Sequence, residues 1–223
     1  MYPPEDPVSS NSREAAQKDK ERSGVCKQGS DEKMSAASIV SARSVLSGWV
    51  NVSRVEMRMP DGAIVERHVE DHGDGAVVLP YDPERRVALL ITQPRAAVLL
   101  TGGIPPLEAI AGRLDGNDPE ICARQEAWEE GGVTLQSLEL VVHLWSMPSI
   151  STERLHLFLA PYRIDKREGS GGGCLHEHEN ISVHEIPLND LIREVASGRI
   201  SDAKTLILIL ALRDRYPHLF AEE

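Results

Sequence analysis

Residues 111–133 read Ala111-Gly112-Arg113-Leu114-Asp115-Gly116-Asn117-Asp118-Pro119-Glu120-Ile121-Cys122-Ala123-Arg124-Gln125-Glu126-Ala127-Trp128-Glu129-Glu130-Gly131-Gly132-Val133. Asp118-Pro119 is a helix start: Asp caps free N–H groups, Pro suits the first helical position, and Glu120 complements the positive end. Gly131-Gly132 is a stop. The pattern predicts a helix from about 119 to about 130. At about 100° per residue, Glu126, Glu129 and Glu130 fall within an arc of roughly 100°, and Ile121 and Trp128 fall nearly opposite Glu130. The expectation is an apolar face packed on a sheet and an opposite face that gathers three carboxylates. Like charges three and four residues apart repel, so the cluster is costly unless a cation sits there. All-oxygen ligation suits a hard cation, and Mg2+ is the usual one where phosphates complete the shell. The plain alternative, a solvated acidic face, is not excluded by the helix alone.

Outward from this helix, the chain alternates between strand and helix signals. Two strands are expected between Trp49 and Val69, around the turn Met59-Pro60-Asp61-Gly62. Ala76 to Leu79 and Val87 to Thr92 are apolar runs that read as a hairpin around Asp82-Pro83-Glu84. Leu138 to Trp145, Leu155 to Tyr162 and Ile181 to Ile186 are further strand candidates. Leu188 to Ala196 and Asp202 to Tyr216 read as helices, and Ser170-Gly171-Gly172-Gly173 as a flexible loop. Interleaved strands and helices give the class α+β, with an α/β/α layering. Residues 1–40 are polar, Pro-containing and without periodicity, and read as a disordered tail, so that Met34 is conceivable as a second start.

Composition narrows the function. The net charge of -11 argues against a general nucleic-acid binder. It does not exclude a phosphorylated small substrate, because a metal ion can reverse the field of an acidic site. Cys26, Cys122 and Cys174 form no C-x-x-C pair and read as free thiols of a cytoplasmic protein. There is no run of about 18 apolar residues, so no membrane span is expected. The first residues lack the order of a signal peptide.

The segment 108–133 resembles the Nudix box, G-x5-E-x7-R-E-U-x-E-E-x-G-U with U aliphatic. The lead Glu108-Ala109-Ile110-Ala111-Gly112 and the element Pro119-Glu120-Ile121-Cys122 are similar to the GDP-mannose pyrophosphatase branch of that superfamily, close to the ADP-ribose pyrophosphatases. The resemblance runs from about Trp49 to the last helix. It implies a Nudix α/β/α sandwich with a mixed central sheet (residues 76–223), preceded by a small N-terminal β-sheet region at 41–75 that forms a homodimer. It implies metal ligation by the carbonyl of Ala111 and the carboxylates of Glu126 and Glu130, with Glu129 as a further ligand. Two departures stand out. The spacer from Gly112 to Glu126 is one residue shorter than the general pattern, as in that branch, and the arginine that orients the glutamates is Gln125 here. Gln125 brings a hydrogen bond but no charge, and Arg124 is the nearest substitute.

Further positions follow from the same resemblance. Arg95, in Gln93-Pro94-Arg95 at a strand end, and Arg67, in the strand segment Glu66-Arg67-His68-Val69, resemble substrate-contacting residues of relatives. Glu153 closes the loop Pro148-Ser149-Ile150-Ser151-Thr152-Glu153 and would position a metal water or the substrate. Glu177-His178-Glu179-Asn180-Ile181 resembles the E-x-E-[DN]-I of a mobile loop in which Glu179, or else Glu177, is a metal ligand or the general base. Lys204, in Asp202-Ala203-Lys204-Thr205, would reach a phosphate or the base, and Trp49 would stack on the base or pack at the dimer interface. A zinc site from Cys174, His176 and His178 is a rival reading of the loop, although its spacing matches no common zinc pattern. The activity implied is Mg2+-dependent hydrolysis of a nucleotide sugar. GDP-mannose, giving GMP and mannose 1-phosphate, comes first and ADP-ribose, giving AMP and ribose 5-phosphate, second. A catalytically weak nucleotide-sugar-binding regulatory protein is the alternative of another class, motivated by Gln125.

Overall fold

The computed structural model describes residues 36–166, 169–173 and 179–221. The Asp61-Gly62 turn lets β2 (Asn51–Arg58) and β3 (Ile64–Asp71) pair as an antiparallel hairpin, as the sequence predicts. A third strand, β1 (Ser38–Leu46), pairs antiparallel with β2 and starts inside the stretch read as tail. It escaped notice because it is exposed along its whole length and so carries no core-facing alternation. The rest of the proposed tail, with Met34 and Cys26, lies outside the described residues.

The second sheet holds β4 (Gly75–Asp82), β5 (Val87–Thr92), β6 (Ile110–Arg113), β7 (Glu139–Trp145), β8 (Arg154–Pro161) and β9 (Ser182–Pro187). Its order is β7-β8-β4-β5-β9, with β6 also paired to β4. The β4–β8 pairing is parallel and the others are antiparallel, so the sheet is mixed. β4 and β5 read as unbroken apolar runs because both of their faces are covered.

Helices cover the two faces. The short α1 (Ala96–Leu100) is exposed; α2 (Pro119–Glu129) lies on one face, and α3 (Leu188–Ala196) and α4 (Ala203–Arg215) on the other. Successive residues of a strand point to opposite faces. Ala76, Val78, Leu89 and Ile91 therefore join Cys122, Ala123 and Ala127 of α2 in one core. Val77, Leu79, Leu90 and Leu157 join Leu188 of α3 and Leu208, Ile209 and Leu212 of α4 in the other. This is the α/β/α sandwich expected. Among the described residues no helix is long and apolar enough to cross a membrane.

The lead before the central helix carries a strand, β6, that is not among the strand candidates of the sequence. β4 and β5 pair only next to their turn, at Tyr81–Ala88 and Asp82–Val87, and residues 108–113 pair with their separated ends. Glu108 exchanges both backbone hydrogen bonds with Ile91 of β5, each 2.8 Å, and β6 then pairs with β4. Its far side is pinned by Thr205, fully buried at the start of α4. The Thr205 hydroxyl accepts the N–H of Ala109 at 2.6 Å and donates to the Asp202 carboxylate.

Thr205→Val should cost about 1–3 kcal/mol, because it leaves a buried N–H without an acceptor. Thr205→Ser should recover most of the loss. Urea unfolding of the two variants measures it, and a Val variant as stable as wild type would remove Thr205 as the pin.

Candidate active site

The site begins with how closely α2 approaches the sheet. Asp118 caps the helix as predicted, accepting the N–H of Glu120 at 2.9 Å. The buried face of the helix consists of small residues, Cys122, Ala123 and Ala127, and small residues permit close packing. That packing reverses the expected faces. Ile121 and Trp128, assigned to the sheet, are 59% and 45% exposed, whereas Glu130 is 2% exposed. The helix needs no large apolar face because the carboxylate side is the one turned toward β6. Gly112 makes this possible: a Cβ there would stand 1.9 Å from Glu126 Oε1 and 2.6 Å from its Cγ.

Glu130 accepts the Ala111 N–H at 3.3 Å. Burial, then the charge of Glu126 and more weakly that of Glu179, pushes its carboxyl up to about 8, against the Ala111 N–H and Arg95. A buried carboxylate facing other carboxylates is a cation acceptor by its chemistry. Ala111, Glu126 and Glu130 thus come together as the sequence predicts, and this oxygen set fits a hard divalent ion. Among the described residues no three acidic, His or Cys side chains are already converged around one point.

Glu129 sits one turn along from Gln125, and Gln125 Nε2 donates to Glu129 Oε1 at 3.0 Å. Gln125 therefore still orients a glutamate, without charge. Arg124 does not take over: it donates to the Leu135 carbonyl and lies 3.5 Å from Glu120.

Glu179 lies against a glycine segment. Gly172 N donates to the Glu130 carbonyl (2.9 Å) and Gly173 N to that of Glu129 (3.0 Å), so the segment caps the C-terminal end of α2. Gly171 has φ +66°, and a Cβ on it would stand 2.2 Å from the Glu130 carbonyl oxygen, so only glycine fits. The Glu179 carboxylate lies against Gly173, within electrostatic reach of Glu130. Glu177 lies outside the described residues, as do Cys174, His176 and His178 of the rival zinc reading.

Two predicted cations converge on a carboxylate that sequence reading left without a role. Arg95 donates to Glu108 from Nε and Nη2, each at 2.9 Å, and Lys204 Nζ lies 2.8 Å from both Glu108 Oε2 and Asp202 Oδ1. Glu108 is 3% exposed. Burial works to raise its pKa, but the hydrogen bonds and charges of Arg95 and Lys204 outweigh it and hold the group ionised, below its usual range. The signal that could have found Glu108 is its place at the head of the Glu-Ala-x-Ala-Gly lead. The pairing also explains a lysine in the first turn of a helix, otherwise an unfavourable place for a cation.

Three predicted residues lie apart from this cluster. Arg67 is exposed on β3 and donates to the carbonyl of Glu66 at 2.7 Å; no described contact takes it to the glutamates. Trp49 is exposed between β1 and β2, stacked on His72, with Arg113 5.6 Å from its ring centre. Glu153 is hydrogen-bonded to His72 at 3.2 Å.

Comparison with known proteins adds four findings. The NUDIX domain model matches residues 71–207. A GDP-mannose pyrophosphatase of Cronobacter sakazakii is 40% identical over 164 residues, covering 72% of this chain and 85% of the relative. A GDP-mannose pyrophosphatase of Escherichia coli K12 is 34% identical over 158 residues, covering 69% and 82%. Among solved structures, one described as the crystal structure of ADP compounds hydrolase matches with a TM-score of 0.67 at 16% identity, over 84% of this chain and 97% of that one, which speaks for the fold.

The burial of Glu130 has a measurable consequence. The folded chain favours its protonated form, so the group is harmless below the ordinary carboxylate range and destabilises increasingly as pH rises toward about 8. In cation-free buffer, Glu130→Gln should melt above wild type at about pH 8.5 and close to it at about pH 5. An identical difference at both pH values would show that the buried charge is not the cause.

Proposed function

This chain belongs to the NUDIX family, and from that premise we propose that it hydrolyses the pyrophosphate bond of a nucleoside diphosphate sugar, GDP-mannose first, to GMP and mannose 1-phosphate. The observation that carries the reading is the division of charge around Glu130. One group is of carboxylates, Glu126 and Glu179, whose charges act on buried Glu130; the other is a pair of cations, Arg95 and Lys204, held by Glu108. The first suits a divalent ion and the second a substrate phosphate. GDP-mannose is favoured over ADP-ribose by the names of the relatives at 34–40% identity.

Each part then has a task. The carbonyl of Ala111 and the carboxylates of Glu126, Glu130, Glu129 and Glu179 are the groups that would hold the ion. When bound, the divalent cation, Mg2+ in this reading, offsets charge on the diphosphate oxygens and acidifies a water. Glu179 accepts the proton of the attacking water, with Glu177 as the second choice. The water oxygen bonds to phosphorus, and the bridging P–O bond breaks to release the two monophosphates. Arg95 and Lys204, oriented by Glu108, hold the diphosphate. Glu153 and Trp49 contact the substrate, and Arg67 does so if a partner subunit brings β3 to the site. The setting is cytoplasmic.

The protein is also proposed to be a homodimer. β1 is an edge strand exposing Ile39, Val40, Val45 and Leu46, and Val55 is the only buried hydrophobic residue of β1–β3. A three-stranded sheet with so little core needs a cover.

Incubation with Mg2+ and a panel containing GDP-mannose and ADP-ribose should release monophosphates, fastest from GDP-mannose. Glu179→Gln should lower kcat by about 10²–10⁴-fold with little change in KM. Absence of turnover on the whole panel would sink the activity. Light scattering after gel filtration should give twice the chain mass, and a monomer at micromolar concentration would remove the dimer.

A further inference from the structure

His72 follows the end of β3, in the link to β4, and has no place in the reaction described above. Its Nδ1 is 2.7 Å from Glu70 Oε2 and its Nε2 is 3.2 Å from Glu153 Oε1. Ionised carboxylates only accept hydrogen bonds, so both ring nitrogens must carry protons to satisfy both contacts. The geometry selects the imidazolium. Trp49 stacks on the ring, with centroids 5.6 Å apart and planes 11° from parallel. The loop that carries Glu153 is fastened to the same strand end: Glu70 N donates to the Ile150 carbonyl (2.8 Å) and Thr152 N to the Glu70 carbonyl (3.1 Å).

This clamp reaches the edge of the carboxylate site. A methyl group placed on Gly75 would stand 3.7 Å from Glu153 Oε1 and 3.2 Å from the carbonyl oxygen of Gly112, the residue on which Glu126 rests. Glu153 and Gly112 thus flank one point.

We propose that His72 is a positioning residue: its imidazolium, gripped by Glu70, fixes the Glu153 carboxylate in the orientation that faces substrate beside Gly112. The inference rests on the pyrophosphatase reading of the site, in which Glu153 contacts substrate and His72 acts only through it. The charged groups around the ring are Glu70 and Asp71 at the end of β3, Glu153 on its loop and, beyond Trp49, Arg113 of β6. Burial disfavours the imidazolium, but the hydrogen bond to Glu70 and the charges of Glu153 and Glu70 outweigh it and raise the His72 pKa above its ordinary value. The clamp is therefore complete at low pH and lost as pH rises through that raised value.

The test combines kinetics with titration. Wild type, His72→Ala, His72→Gln, Glu153→Gln and the double variant His72→Ala/Glu153→Gln are assayed from about pH 6 to about pH 9, and the His72 ring is titrated by NMR. Circular dichroism confirms folding, and His72→Gln, which keeps one hydrogen bond, stands in if the alanine variant does not fold. We expect His72→Ala to lower kcat/KM about tenfold and to remove the loss of activity that wild type shows as the ring deprotonates. We expect no added effect of His72→Ala in the Glu153→Gln background, and a downward shift of the His72 titration in Glu153→Gln. Additive losses, or a His72 titration indifferent to Glu153→Gln, overturn the proposal. An impaired Glu153→Gln beside a fully active His72→Ala overturns the positioning role alone. A fully active Glu153→Gln overturns the role of Glu153 and the proposal with it. The NMR titration reads the clamp even if the wild type turns over none of the substrates offered.

Discussion

The site depends on one close contact, that of α2 against β6. Alanines 123 and 127 let the helix approach, and Gly112 leaves room for the Glu126 carboxylate. Glu130 is then carried beneath Ala111 and out of water. A carboxylate in that place cannot be solvated, and its neighbours are carboxylates as well. Burial and the charge of Glu126 together raise the Glu130 pKa and favour its protonated form. The glycine segment over the end of α2 follows from the same contact. Its N–H groups satisfy the carbonyls of Glu129 and Glu130, and the Glu179 carboxylate lies against Gly173, within electrostatic reach of Glu130.

Positive charge is managed by the opposite device. The chain is acidic, with a net charge of -11, yet Arg95 and Lys204 are drawn from different elements to one buried carboxylate. Two donors on Glu108 outweigh its desolvation. A buried carboxylate so held orients both cations at fixed places, and fixed orientation is what phosphate recognition requires. Segment 108–113 links the two halves: Glu108 at its start gathers cations, and Ala111 and Gly112 of β6 meet the acids.

Gln125 marks where this chain leaves the general pattern. Its amide still holds Glu129, so the orienting hydrogen bond survives while the charge is lost. Arg124, adjacent in sequence, points elsewhere because successive helical residues lie about 100° apart. Away from the glutamates, Glu70, His72 and Glu153 tie the small sheet to the loop before β8 through one imidazolium.

The sequence by itself determined most of the elements and the family. Asp118-Pro119, Gly131-Gly132, the apolar runs of β4 and β5 and the Asp61-Gly62 turn act through local backbone preference, and such preferences are legible in one dimension. The spacing of Glu126, Glu129 and Glu130 was legible for the same reason. Helical periodicity, however, says only which residues share a face, not which face is turned inward. The reversal of the Ile121–Trp128 and Glu130 faces was decided by tertiary packing, because small residues and Gly112 allow a closer approach than large apolar ones. The partnership of Glu108 with Arg95 and Lys204, the strand character of 110–113 and the His72 clamp likewise join residues far apart in the chain. Only the folded sheet brings them within hydrogen-bonding distance, and the desolvation found there fixes which charges need partners.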